Sequence, residues 1–258
     1  MDESRTTASS EANRGELSPE QLRHFLRESS PQREEQTRRL VERILEFIPD
    51  APIRIADFGG GDGTVLDRCL ENRSHAEGIL VDVAPEMLEA NLPNPRKRLV
   101  QADLTELRHD LPGDIQYDVA LLNVVLHHCL SGDGVSATRR AQSDVLRAIG
   151  ERLTPGGRIV VLEQVQDGWV FPDVTSLLVY RLTRSRLLAP MMRSFGANTA
   201  GVGVLFAPRS RLLRVFERAG MRVEHEKLFR QDRNIIQLRL LACRRSYQQI
   251  FVLRPDAA

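Results

Sequence analysis

The stretch IADFGGGDGTVLDRCL, residues 55–70, sets Gly59, Gly60, Gly61 and Gly63 between an apolar run that reaches Asp57 and a helix-like segment. Glycines at a strand-to-helix turn bring backbone N–H groups and a helix N-terminus close to a ligand, as a nucleotide-like cofactor requires. Two common forms of that turn do not fit. A P-loop would end in Gly-Lys-Ser or Gly-Lys-Thr, which is absent here. The pattern G-x-G-x-x-G fails because its third position is Thr64 counted from Gly59 and Leu66 counted from Gly61. Further along, His127, His128 and Cys129 follow the run YDVALLN, and Glu163 ends the run GRIVVLE. These side chains could move protons. A zinc site at His127-His128-Cys129 is disfavoured, because adjacent side chains diverge and no fourth ligand is evident, so no metal is expected.

Such residues need a frame to hold them. Apolar runs at 53–58, 78–82, 97–101, 117–123 and 157–163 alternate with helix candidates at 62–72, 85–91 and 138–152. Short strands separated by helices imply a parallel sheet covered on both faces, a doubly wound α/β fold. In such a sheet a ligand lies across the carboxyl ends of neighbouring strands. Asp57, Asp82, Asp103 and Asn123 stand at or just after four of those ends.

Residues 1–16 are polar and without periodicity, and are expected to be disordered. Residues 17–50 carry two helix starts, Ser18-Pro19 and Ser30-Pro31, and an apolar stripe of Leu40, Val41, Ile44, Leu45 and Ile48; they read as a helical cap. After Glu163 the alternation stops, and 166–208 read as an insert. Within it Asp173 looks like an N-cap, with Val174, Leu177, Leu178 and Leu182 on one apolar face until Pro190 ends the helix. A helix at 209–219 and strands at 221–228 and 234–243 follow. The loop FRQDR between those strands is too short for a parallel crossover, so they must pair antiparallel.

IADFGGGDG resembles the first motif of class I S-adenosylmethionine-dependent methyltransferases, an acid followed by a glycine-rich turn. GILVD, LVQADL, YDVALLNVVLHH and LTPGGRIVVLE resemble the later motifs, in order, and the small-molecule members are the nearest in pattern. The resemblance implies a seven-stranded sheet, mostly parallel with a reversed C-terminal hairpin strand, built from 51–165 and 209–258, with 166–208 as a substrate lid. It implies S-adenosyl-L-methionine as cofactor and S-adenosyl-L-homocysteine as product. Gly59 and Gly61 would make room for the methionine end, with Asp57 and Gly60 beside them. Asp82 would grip the ribose hydroxyls, Val83 and Met87 would line the adenosine, and Asp103 and the Leu104 N–H would reach adenine. Asn123 completes that set. Sulfonium and ammonium groups favour the nearby acids, whereas an anionic dinucleotide would not.

Methyl transfer from a sulfonium is an in-line displacement, to which alignment and desolvation contribute much. If the acceptor must lose a proton, His127, His128 or Glu163 is the candidate base, and His128 is favoured to face it. Asn123 departs from the Asn/Asp-Pro-Pro-aromatic motif of amino methyltransferases, which disfavours adenine or glutamine amides as acceptors. Trp169, Tyr180 and Phe195 of the insert, with His128, suggest an apolar pocket for an aromatic or heterocyclic small molecule methylated at oxygen or nitrogen.

No apolar run is long enough to span a bilayer, and the polar start lacks a signal-peptide core, so a cytoplasmic protein without membrane partners is expected. Cys69, Cys129 and Cys243 read as reduced core thiols. From Arg181 onward 16 basic residues stand against 5 acidic ones, nearly all of them arginine. That basic third opens an RNA methyltransferase as the alternative, although no RNA-binding module or basic-aromatic platform is visible. A scaffold that keeps the fold without catalysis is the non-enzyme alternative, and a homodimer through the N-terminal helices or the insert is a further expectation.

Overall fold

The computed structural model describes residues 31–169, 172–185, 187–194, 200–231 and 243–256. The expected disordered start, the helix opening at Ser18, Phe195 and residues 234–242 lie outside the described residues.

Among the described residues seven strands form one sheet in the order β3-β2-β1-β4-β5-β7-β6. They are β1 Arg54–Phe58, β2 Glu77–Asp82, β3 Lys97–Gln101, β4 Tyr117–Asn123, β5 Leu153–Gly168, β6 Met221–Gln231 and β7 Cys243–Pro255. The first five run parallel, and β7 lies antiparallel between β5 and β6. The order reverses at β1 and β4, so a crevice opens at their carboxyl ends.

The helices are α1 Pro31–Leu45, α2 Thr64–Asn72, α3 Pro85–Glu89, α4 Leu107–Asp110, α5 Val135–Gly150, α6 Pro172–Arg184, α7 Ala189–Ser194 and α8 Arg209–Arg218. Successive strand residues point to opposite faces, which is why the central strands are apolar throughout. Ile55, Leu80, Leu121 and Val160 pack on α2 residues Leu66, Cys69 and Leu70 on one face. Phe58, Val81, Leu122 and Phe251 join Leu146 of α5 and Phe216 of α8 on the other. The stripe of α1 is buried as its spacing requires, with Leu40, Val41 and Ile44 in the α2 face of the core. Arg73 closes the end of that helix by donating to the carbonyls of Leu45 and Ile48 at 2.9 and 3.0 Å.

Three expectations need correction. β5 continues to Gly168 because β7 pairs with it over its whole second half, so Glu163 lies inside a strand and not at its end. β6 runs on to Gln231, through the first three residues of the loop FRQDR expected to join the strands, and its partner among the described residues is Cys243–Pro255; the antiparallel pairing holds, and residues 234–242 of the expected strand lie outside the described residues. In the insert, α6 ends at Arg184 and Pro190 begins the next helix instead of stopping the first. Asp173 sits in the first turn of α6, where two arginines hold it. The buried face of α6 is Thr175, Ser176, Val179, Tyr180 and Thr183, while Val174 and Leu177 are exposed. Small polar side chains on that face can bond backbone at close approach: Thr183 Oγ1 accepts from Val204 N at 3.1 Å.

Candidate functional site at the strand tips

At the end of β1 the chain turns sharply, with Gly59 N donating to the Val81 carbonyl at 2.7 Å. The glycines there serve two different ends. A Cβ on Gly59 would lie 2.4 Å from Val125 Cγ2, and one on Gly60 would lie 2.4 Å from Leu80 Cδ1 and 2.8 Å from the Asp57 carboxylate. Those two make room for the protein's own side chains. At Gly61, in the left-handed region with φ 57°, the nearest atom is Met87 Sδ at 3.9 Å. Gly61 is the position in this turn that faces open space.

The walls of that opening are polar and fixed. Gly61 N donates to Asp82 Oδ2 at 2.9 Å, Ala84 N donates to Asp82 Oδ1 at 2.9 Å, and Asn91 Nδ2 donates to the Gly61 carbonyl at 3.1 Å. Burial holds the Asp82 carboxyl above its ordinary range, although the N–H groups of Ala84 and Gly61 pull the other way. Val83 is exposed beside it, with its carbonyl accepting from Gln101 Nε2, and Met87 is buried beneath. Asp103 caps the short turn Leu104–Glu106: Oδ1 accepts from Thr105 N and Thr105 Oγ1, both at 2.8 Å. Leu104 packs on the core, and Asn123 ends β4 half-buried.

Asp57 is 1% exposed, and among the described residues neither carboxylate oxygen has a hydrogen-bond partner. Burial, then the charges of Asp82 and Asp62, push it up to about 7. A carboxyl kept in that condition acts on a neighbouring group through its field, and the group that relieves it is a cation. The donor and acceptor set around Gly61 therefore fits a cationic adenosyl group with ribose hydroxyls, since each Asp82 oxygen keeps lone-pair capacity.

Beyond Asn123 the backbone is strained. Val124 has φ 55°, rare for a β-branched residue, and its N–H donates to Leu162 O at 2.8 Å. The turn drives Val125 over Gly59 and sends the chain into the turn Leu126–His128. His127 is 5% exposed and Glu163 1%. Glu163 Oε1 lies 2.6 Å from His127 Nδ1, and Oε2 accepts from His127 N at 3.2 Å. Nδ1 is thereby engaged, and among the described residues no group bonds Nε2. His128 is half-buried with its ring 4.2 Å from that of His127; burial first, then His127, holds its imidazole well below the usual range and therefore neutral.

The return of the insert covers this pair. The Phe206 ring lies 4.6 Å from that of His127, tilted by 43°, and Leu205 N donates to the His127 carbonyl at 3.1 Å. Neither residue stood out in the sequence, although the apolar VLFA before helix α8 was the available signal. Tyr180 is buried with its hydroxyl on Arg184, which also reaches the Gly132 carbonyl in the loop after His128. Trp169 follows β5 and is 64% exposed. The structure thus gathers Asp57, Gly61, Asp82 and Met87 at one opening and His127, His128 and Glu163 at the next strand end, and sets Tyr180 into the packing of α6.

A sheet of this order, reversed at its last strand and carrying acids around a glycine turn, defines the class I methyltransferase fold. Residues 56–159, from within β1 to the first part of β5, match the family model described as a methyltransferase domain. Among solved structures the chain is similar to CalO1, a methyltransferase of calicheamicin biosynthesis bound to S-adenosylhomocysteine, at 18% identity and a TM-score of 0.53 over 86% of this chain and 54% of that one. It is similar to an O-methyltransferase family protein from Burkholderia thailandensis at 20% and 0.53, over 86% and 57% of the two chains. It is also similar to an S-adenosylmethionine-dependent methyltransferase from Mesorhizobium loti at 20% and 0.54, over 83% and 96%. The chain spans little more than half the length of the first two. Among the described residues no cluster of three or more His, Cys, Asp or Glu could hold a metal, and no helix is long and apolar enough to cross a membrane.

Proposed function

We propose that the protein is a cytoplasmic S-adenosylmethionine-dependent methyltransferase that acts on an oxygen or nitrogen of a small aromatic or heterocyclic acceptor. The observation that carries this reading is the opening at Gly61, walled by Asp82 and backed by the unpartnered Asp57. Gly61, Asp82, Val83, Met87, Asp103 and Leu104 hold the cofactor, which supplies an electrophilic methyl group on sulfur. Asp57 favours the positive charge of that donor through its field.

At the neighbouring strand end His127 takes the acceptor's proton. Glu163 accepts from Nδ1–H, which fixes the tautomer and leaves the Nε2 lone pair as the base. Glu163 is a positioning residue, too deeply buried to touch the acceptor. His128, neutral beside it, lines the acceptor pocket together with Trp169. The insert after β5, with helix α6, acts as a lid that excludes water, with Phe206 packed on the base. That the similar CalO1 is a methyltransferase of calicheamicin biosynthesis supports a small molecule of that kind as acceptor.

Isothermal titration with S-adenosylhomocysteine tests the reading. Saturable binding is expected, and Asp82→Ala, checked by circular dichroism for an intact fold, should abolish it. A wild-type protein that binds neither S-adenosylhomocysteine nor S-adenosylmethionine would leave only the scaffold. Incubation with labelled donor and a metabolite extract would then reveal which compound gains a methyl group.

A further inference from the structure

Away from the strand tips, α5 and α8 face each other across a cleft of about 590 Å³. Arg139, Arg140 and Arg147 line it from α5, and Arg211, Arg214 and Arg218 from α8. The spacings from 140 to 147 and from 211 to 214 to 218 put these side chains on one face of each helix. Ser143 Oγ donates to the Val215 carbonyl at 3.1 Å and ties the two helices together at the floor.

Two carboxylates answer six guanidinium groups. Asp173 takes Arg139 at 2.8 Å and Arg211 Nε at 2.8 Å, and Asp144 takes Arg147 at 2.6 Å. Among the described residues Arg140, Arg214 and Arg218 have no carboxylate partner. Arg139 lies half-buried against the cleft with its Nε buried and without an acceptor. Burial, Arg211 and Arg214 hold its guanidinium below the ordinary range despite Asp173. Like charges gathered in a concavity repel one another and focus a positive potential there, so the cleft destabilises the empty protein and attracts anions.

We infer that this cleft is a second binding site, for a small ligand that carries two or more clustered phosphate groups. Guanidinium forks match phosphate oxygens two at a time, and several forks around one concavity suit several phosphates. The volume is that of a small-molecule site. The remaining lining is Ser136, Ser143, Asp144 and Val215, with no aromatic side chain on which a base could stack. That composition favours a compact polyphosphate over a nucleic-acid strand. The site is independent of the methyl-transfer reading, because none of its residues belongs to the strand-tip opening.

The test uses inorganic tripolyphosphate with the full chain, by titration calorimetry and thermal melting. One saturable site is expected, with affinity falling as salt rises and a melting temperature raised by roughly 5 °C near a hundredfold excess over Kd. The triple variant Arg140→Gln/Arg214→Gln/Arg218→Gln should bind at least about tenfold more weakly while S-adenosylhomocysteine binding stays unchanged. Lysine at the same three positions keeps charge but loses the fork, and should fall between the two. Should the triple variant fail to fold, Arg214→Glu alone is expected to give the same loss. No saturable binding to the wild type, or equal binding to wild type and variants, would overturn the site. Binding of a generic single-stranded RNA where tripolyphosphate fails would overturn it in favour of a nucleic-acid surface.

Discussion

Asp57 is where one atom group most directly links fold to ligand. Its carboxyl titrates near 7 in the folded protein, against an ordinary 3.8, because burial and then Asp82 and Asp62 disfavour its charge. The folded state therefore keeps a proton that the unfolded chain has released. Stability tied to this group is full below 3.8 and declines as pH rises towards about 7. Relative to Asp57→Asn, the wild type should lose stability across that window, and chemical denaturation at several pH values measures it. The same proton is linked to binding. A cationic donor prefers ionised Asp57, so affinity for S-adenosylmethionine should rise with pH until about 7 and then level off, with proton uptake by the buffer below that point. Affinity that is flat across this range would show that the field of Asp57 does not reach the donor. At the neighbouring strand end, His127→Ala should lower kcat by about 100-fold or more, with cofactor affinity little changed. Glu163→Gln should lower kcat by about tenfold and shift the pH profile, which loss of packing alone would not do. If His128→Ala costs more than His127→Ala, the base is His128. The acids at the strand ends were legible from the sequence because an ionisable residue closing an apolar run is conspicuous. The pairing of His127 with Glu163 was not, because it depends on the register of β4 and β5, and nothing in a β-branched Val124 announces a left-handed turn.

The elements divide in the same way. Strand–helix alternation from Ile53 to Glu163 could be read because β1, β2 and β4 lie buried on both sides, so their composition is decided locally, while the edge strand β3 buries only Val100. In the insert the helix opening at Asp173 could be read but its buried face could not, since α6 buries its threonines and serine beside Val179 and Tyr180 and exposes Val174 and Leu177. Besides the face that α6 buries against β5, an electrostatic tie seats it: Asp173 joins it to α5 through Arg139 and to α8 through Arg211. Burial alone would raise the Asp173 carboxyl, but the bond from Arg211 and the charge of Arg139 outweigh it and hold it below 3.8. The stabilisation is therefore present above the ordinary value and is lost as pH falls through the folded one. Asp173→Asn at neutral pH should cost about 1–3 kcal/mol, less than a fully buried pair because all three side chains retain some exposure. Differential scanning calorimetry of the two proteins checks this, and an unchanged melting temperature would mean that packing, not charge, seats the helix.

At the scale of the whole molecule the sheet order sets a dependence that alternation alone does not disclose. The strand latest in the sequence does not lie at an edge: β7 sits between β5 and β6 and pairs with both. Composition gave no hint of this for residues 243–255, where arginine, serine and glutamine open a strand that ends in Ile250, Phe251, Val252 and Leu253, each at most 1% exposed. Three of them reach both cores at once, Phe251 and Leu253 on one face and Ile250 on the other. Without β7, β6 has no neighbour in the sheet and β5 from Ile159 to Gly168 presents an open edge of unpaired backbone groups, the condition that leads to aggregation. The first half of the fold therefore waits on the last strand. A chain ending at residue 242 should be insoluble or lack a cooperative melt, and should not bind S-adenosylhomocysteine, because β5 also carries Glu163 and the carbonyl that anchors Val124. In the full chain Phe251→Ala should remain folded but cost about 3–5 kcal/mol, in keeping with a buried aromatic removed from an otherwise complete sheet. Solubility, thermal melts and titration of both proteins separate the two effects. A truncated chain that melts cooperatively within a few degrees of the full one would mean that β1 to β5 form a self-sufficient unit and that β7 only decorates it.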